Sequence, residues 1–219
     1  MSKEQLYSFM ARSIVDGDKD AAVRLASEGL AEALPAAEIV TSGFLPGLNM
    51  VGELWESGEY FLPELIQSAE CMKAALAVLR PVLEATAGGK AVSKGKAVIG
   101  TIEGDIHDIG KNLVSSLLSA NGFEIVDLGA DVKIDRFIDV AAAEKVDLIC
   151  LSALLTTTML NQRRVLERLR ERGLRDRFKV LVGGAPVTQA WADEIGADGY
   201  GENATAAVRA AERVLRLGR

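Results

Sequence analysis

The stretch KAVIGTIEGDIHDIGKN, residues 96–112, decides how the chain is read. Lys96 to Thr101 is a short run of small and β-branched apolar residues, the composition of a buried strand. A loop with Gly104 follows, and from about Gly110 the apolar residues change to helical spacing. The same succession recurs downstream. Phe123–Leu128 precedes a helical segment from about Ile134, and Asp147–Leu151 precedes one from about Thr157. Lys179–Val182 precedes one near Thr188, and Ala197–Tyr200 precedes a last helix from about Asn203. Five strand–helix units in register predict an α/β doubly wound domain, Rossmann-like or flavodoxin-like, around a five-stranded parallel sheet. Ligands of such sheets sit beyond the carboxyl ends of the strands, so the residues after Thr101, Leu128, Leu151, Val182 and Tyr200 are the ones that matter.

Upstream the period differs. Lys3 to about Val15 reads as a helix, Asp16-Gly17-Asp18 breaks it, and Asp18 caps a second helix to about Leu34. Pro35 opens a third, carrying Ile39, Val40, Phe44 and Leu48. A fourth starts at Pro63. Its residues Leu65, Ala69, Met72, Leu76, Leu79 and Leu83 form an a/d seam. The expected N-terminal fold is an all-α four-helix bundle over residues 1–87. Residues 88–95, within the unpatterned run from Thr86 to Gly95 with its paired glycines, read as a linker. The sheet domain takes 96–219.

Charge divides the chain at the same place. Residues 1–90 hold 7 basic and 13 acidic side chains, whereas residues 91–219 hold 18 of each. The net charge of -6 argues against nucleic acid as a partner. Cys71 and Cys150 lie far apart in apolar stretches and read as reduced thiols. The N-terminus lacks a basic-then-apolar leader, and no apolar run is long enough to span a bilayer. The expectation is a cytoplasmic protein with no membrane association.

His107 is the single histidine of the 219 residues. A lone histidine is commonly structural, but this one stands where the fold binds ligands, flanked by Asp105 and Asp108. A carboxylate on one ring nitrogen fixes the tautomer and raises the basicity of the other, which suits a metal ligand or a general base. One His and two distant Cys do not make a protein-only zinc site. Five residues between Gly104 and Gly110, then Lys111-Asn112, do not make a phosphate loop. The dinucleotide fingerprint and the G-x-S-x-G elbow are both absent. A metal at His107 would therefore arrive inside a cofactor. The other strand ends offer Ser152, Thr156, Thr157 and Thr158, with Thr156 or Thr157 a candidate helix cap. They also offer the glycine-rich turns at Gly183-Gly184 and Gly199-Tyr200-Gly201, which read as a small-walled slot.

Asp105-x-His107-x-x-Gly110, then 41 residues to Ser152-x-Leu154, then 28 to Gly183-Gly184, resembles the signature of cobalamin-binding domains. The segment LWESGEYFLPE, residues 54–64, is similar to the helical cap that precedes this domain in methionine synthase and in corrinoid methyl-carrier proteins. The resemblance spans the whole chain and implies a corrinoid protein that carries a methyl group on cobalt. His107 would be the lower axial ligand of base-off/His-on cobalamin, with Asp105 and Thr158 completing a relay. Asp108, Ile109, Gly110 and Leu154 would contact the cofactor, as would Tyr200 and Gly201. Ser152, Thr156, Gly183 and Gly184 would hold the displaced nucleotide tail. Trp55 and Leu62 would cover the upper face, Trp55 standing where methionine synthase has phenylalanine. The implied partners are a substrate-specific methyltransferase, a second methyltransferase that removes the methyl group, and a reductive activator.

Two other classes share these elements. Cobalamin-dependent sensors or regulators carry a Glu-His pair ten residues after the capping tryptophan, where this chain has Leu65 and Ile66. The binding subunits of adenosylcobalamin mutases generally lack the bundle, and Trp55 would crowd an adenosyl group.

Overall fold

The computed structural model describes residues 2–86 and 93–217. The chain divides into two compact units, Met1–Val92 and Ser93–Arg219.

The first unit is helical. Helix α1 (Lys3–Val15) begins in a capping box, in which Ser2 accepts from Gln5 N–H and the Gln5 side chain accepts from Ser2 N–H. Helix α2 (Lys19–Ala31) is capped by Asp18, whose carboxylate accepts from Ala21 N–H. It stops short of Leu34, and Ala33 turns into the left-handed region with φ 57°. The third helical stretch is not uniform: α3 (Ala36–Glu38) runs into a π-helical segment, Ile39–Phe44, and then into α4 (Leu45–Ser57). Two glycines explain its packing. A Cβ on Gly47 would lie 2.2 Å from Ala11 O, and one on Gly43 would lie 2.5 Å from Met10 Sδ. Both therefore mark the close approach of α1. Helix α5 (Leu62–Thr86) buries Leu65, Ser68, Ala69, Cys71, Met72, Ala75 and Leu79. The expected seam is met at Leu65, Ala69, Met72 and Leu79, while Ala75 is fully buried and Leu76 and Leu83 only half-buried.

The second unit is a five-stranded parallel sheet in the order β2-β1-β3-β4-β5. Its strands are β1 (Lys96–Thr101), β2 (Glu124–Asp127), β3 (Leu148–Ser152), β4 (Lys179–Gly183) and β5 (Gly199–Gly201). Between and after them run α6 (Ile109–Ala120), α7 (Ile134–Ala143), α8 (Thr156–Glu171), α9 (Gln189–Ile195) and α10 (Ala204–Val214). One face of the sheet presents Val98, Ile149, Leu151, Val180 and Val182 to Phe137 and Ile138 of α7, to Val165, Leu166 and Leu169 of α8, and to Trp191 of α9. Helices α6 and α10 pack on each other and on the strands. Cys150 and Cys71 are free and buried, and burial pushes their thiols up to about 12 and about 11.

This order is the flavodoxin-like one. From β1 the chain crosses to β2 on one side and then to β3 on the other. The loops after β1 and β3 therefore part at the carboxyl edge and leave a crevice between them. Residues 88–92 of the expected linker lie outside the described residues. Ser93, Lys94 and Gly95 are held by the sheet unit: Lys94 N–H donates to Gly122 O at 3.0 Å, and Lys94 pairs with Glu212. Among the described residues no helix is long and apolar enough to cross a membrane.

Candidate functional site

Asp105 stands at the crevice between β1 and β3 and is buried. Its Oδ1 accepts from His107 N–H at 3.0 Å and lies 2.7 Å from His107 Nδ1. Its Oδ2 accepts from Leu154 N–H at 2.7 Å, from Leu155 N–H at 3.3 Å and from the Thr158 hydroxyl at 2.7 Å. The hydroxyl is also 2.9 Å from Leu155 O, but its single proton goes to the stronger, ionised acceptor. Burial alone would raise the Asp105 pKa. Donors from Thr158, Leu154 and His107 overcome burial and hold the carboxyl well below the usual range. Asp105 is thus an anion with no spare donor of its own, so His107 Nδ1 must be the donor in their contact. The Nε2 lone pair is left free.

The imidazole is half exposed, and so can reach a ligand. Around it stand Ile106 (76% exposed), Ile109 (78%), Leu154 and Leu155. A polar anchor surrounded by exposed apolar side chains is the surface expected beneath a large, flat, mostly apolar ligand. Sequence reasoning included Ile109 and Leu154 but missed Ile106 and Leu155. The signal available was an isoleucine set between the two polar residues Asp105 and His107.

The remaining candidates fall as follows. Asp108 is the N-cap of α6 without a side-chain cap bond, and Gly110 sits exposed in the first turn with open space where a Cβ would go. Ser152 ends β3 opposite Gly183, and its carbonyl accepts from Ile102 N–H. The N-cap of α8 is Leu155, with no side-chain cap bond, which corrects the expectation that Thr156 or Thr157 caps it. Thr156 is exposed in the first turn. The backbone amides Leu154 N–H and Leu155 N–H, just before the helix, find their acceptor in Asp105 across the crevice.

The glycines have reasons within the protein. A Cβ on Gly184 would lie 1.7 Å from Ala153 O, and the residue has φ 126°. A Cβ on Gly201 would lie 2.7 Å from Ala207 Cβ, so a side chain there would drive α10 off β5. Gly183 is less tight, with Gly201 O 3.0 Å from its would-be Cβ. Tyr200, which precedes Gly201 in β5 and pairs with Val182, is half-buried. Trp55 (half-buried) and Leu62 (exposed) belong to the other unit, at the end of α4 and the start of α5.

A flavodoxin-like sheet whose crevice presents one imidazole, tethered through Nδ1 to a buried carboxylate and bordered by exposed apolar residues, defines a protein with a ligand site at the carboxyl edge of its sheet. Comparison with known proteins agrees. Residues 95–209 match the family described as B12 binding domain, and residues 9–80 match a second family of the same description. A corrinoid protein of Desulfitobacterium hafniense is 46% identical over 206 residues, covering 94% of this chain and 95% of that one. Trimethylamine corrinoid protein 1 of Methanosarcina acetivorans is 46% identical, covering 98% and 99% of the two chains. Among solved structures, a cobalamin-binding protein from Desulfitobacterium hafniense superposes with a TM-score of 0.82 at 34% identity, covering 95% of this chain and 98% of that one. The methanol:cobalamin methyltransferase complex of Methanosarcina barkeri gives a TM-score of 0.81 at 30% identity, covering 98% and 81%. The chain belongs to the B12-binding corrinoid proteins, and its cofactor is a corrinoid.

Proposed function

We propose that this chain carries a methyl group on the cobalt of cobalamin held base-off, with His107 as the lower axial ligand. The observation that supports this most directly is the state of His107. Its Nδ1 is committed to a buried, fully bonded carboxylate, and its half-exposed ring offers Nε2 as the remaining nitrogen. When bound, the corrinoid supplies the metal centre that accepts and yields the methyl group.

The protein's own residues do the rest. Asp105 holds the imidazole in the tautomer that leaves Nε2 available. Thr158 and the amides of Leu154 and Leu155 keep Asp105 ionised. In this arrangement His107 would hold the metal through Nε2, while Asp105, bonded to Nδ1 and to Thr158, would keep the ring in place. Ile106, Ile109, Leu154 and Leu155, exposed beside the half-exposed imidazole, would supply apolar contact to a bound corrinoid. Asp108, the N-cap of α6, and Gly110, in its first turn, are proposed as further cofactor contacts. Ser152, Thr156, Gly183 and Gly184 are proposed for the nucleotide tail, Tyr200 and Gly201 as further cofactor contacts, and Trp55 and Leu62 as a cover for the methyl-bearing face.

Relatives named for trimethylamine and dimethylamine, and the likeness to the methanol:cobalamin methyltransferase complex, support a small methylated compound as donor. They also support a substrate-specific methyltransferase as partner. A second methyltransferase, a reductive activator and a cytoplasmic location complete the proposal.

The test is electron paramagnetic resonance of the Co(II) form. The wild-type chain should show superhyperfine splitting from one axial nitrogen, and His107→Ala should bind cobalamin without it. An identical nitrogen signal in the variant, with the cofactor's own base excluded as its source, removes His107 from the role.

A further inference from the structure

The loop between β2 and α7 does more than join two elements. At its start, the buried Lys111 ammonium lies 2.6 Å from both carboxylate oxygens of Asp127. Asp127 Oδ1 also accepts from Gly129 N–H at 2.8 Å, which fixes the turn, and Gly129 O accepts from Thr101 N–H at 2.9 Å. At its end stands Asp131, with φ 51°. An L-residue in that region is uncommon, and Asp tolerates it when its side chain bonds nearby backbone. Here the carboxylate bonds backbone of a different loop. Asp131 Oδ1 accepts from Gly104 N–H at 2.8 Å, and Asp131 N–H donates to Asp105 O at 2.9 Å.

One residue thus grips the segment Gly104-Asp105 at both ends, at the first amide and the last carbonyl. The Asp105 side chain leaves the backbone between those two points. The next residue, Val132, donates to Thr101 O at 3.0 Å, and the Thr101 hydroxyl donates to His107 O at 3.1 Å. The brace therefore reaches the histidine by a second route. A backbone conformation that few residues tolerate, held by two bonds to the neighbour of a functional loop, is the kind of local cost that persists when it positions something.

We infer that Asp131 is a positioning residue that aims the Asp105 carboxylate at His107 Nδ1, so that the imidazole is presented to cobalt in one orientation. The inference rests on His107 being the axial ligand. It predicts that the acceptor of Asp131 matters, and that its charge does not. Asp131→Asn keeps an oxygen for Gly104 N–H. Asp131→Gly keeps the φ and the backbone bond but removes the acceptor.

The full chain, loaded with cobalamin and reduced to Co(II), is examined by electron paramagnetic resonance for the ratio of nitrogen-coordinated to uncoordinated cobalt, alongside thermal melting of each variant. Asp131→Asn should keep the wild-type ratio. Asp131→Gly should lower it about tenfold, the weight of one ordinary hydrogen bond. A folded Asp131→Gly with the wild-type ratio, even if it melts earlier, shows a merely structural residue and overturns the inference. A lowered ratio in Asp131→Asn equal to that in Asp131→Gly overturns it too. If Asp131→Gly does not fold in buffer, it is loaded and read with a stabilising osmolyte, beside the wild type and Asp131→Asn under the same conditions. A wild-type chain with no axial nitrogen signal sinks the His107 reading itself, an outcome separable from the others because it appears before any substitution.

Discussion

Asp105→Asn removes one charge and replaces one oxygen by an NH₂ group, and the structure says which way the new amide must point. With the NH₂ on the Oδ2 side it would face Leu154 N–H and Leu155 N–H, neither of which can accept. Two buried or half-buried donors would be stranded, at about 1–3 kcal/mol each. With the NH₂ on the Oδ1 side, only His107 N–H is stranded, because the ring can adapt. The second arrangement wins. It costs one stranded donor, and three charge-assisted bonds on Oδ2 become neutral ones, partly offset by no longer burying a charge. The net loss is about 2–4 kcal/mol of stability. The ring adapts by moving its proton: Nδ1 becomes an acceptor for the new amide, and Nε2 carries the hydrogen. The variant should therefore fold, less stably, with an imidazole that no longer offers a lone pair to a metal.

Two measurements check this on the apo chain. Long-range ¹H–¹⁵N spectra in mild base report which ring nitrogen is protonated, and the single histidine removes any assignment problem. The proton should be on Nδ1 in the wild type and on Nε2 in Asp105→Asn. A variant that keeps its proton on Nδ1 would show that Asp105 does not set the tautomer, and the reasoning would fail. Denaturant melts against pH supply the second check. The folded pKa of Asp105 is lowered, so below the unfolded value of about 4 the unfolded chain takes up a proton that the folded chain resists. This contribution is complete above that value and is lost as pH falls towards the folded one. Asp105→Asn should lack that acid-side loss, and an unchanged profile would contradict the assignment.

Other outcomes follow from the same geometry. Thr158→Ala removes one charge-assisted donor while the amides of Leu154 and Leu155 remain, so it should cost about 1.5–3 kcal/mol in a denaturant melt and keep the wild-type tautomer. Gly110→Ala and Gly184→Ala should diverge. Nothing lies within 4 Å of a Cβ on Gly110, in the first turn of α6, so the alanine should leave the apo chain folded and about 0.5–1 kcal/mol more stable. If Gly110 faces the cofactor, the same variant should bind cobalamin more weakly in a titration, and unchanged affinity would remove it from the site. Gly184→Ala would place a carbon 1.7 Å from Ala153 O and should disrupt the sheet unit, seen as loss of a cooperative melt.

What the sequence discloses and what it conceals divide along a physical line. The strand β1 was legible to the residue, because a buried parallel strand needs an uninterrupted apolar run and Lys96–Thr101 supplies one. The cap at Asp18 was legible because a capping side chain acts within its own segment, and the helices expected near Thr188 and from about Asn203 prove to be capped by those two residues. At α8 that logic failed: the amides just ahead of the helix are satisfied by Asp105, some fifty positions earlier in the chain, so the threonines that resemble caps are not used as such. The close approach of α1 was concealed for the same reason, since Gly43 in the π-helical segment and Gly47 in α4 answer to Met10 and Ala11 rather than to their own neighbours. Asp131 is the clearest case. By composition it is an ordinary acidic loop residue, and only the fold brings its amide and carboxylate onto both ends of Gly104-Asp105. A motif lists the residues that can touch a ligand, whereas the aim of those residues is set by bonds arriving from other loops. In this chain the placing of the His107 ring rests on groups that arrive from three separate strand-to-helix connections, so substitution of Thr158 or Asp131 tests the proposed role of His107 as directly as substitution of the histidine.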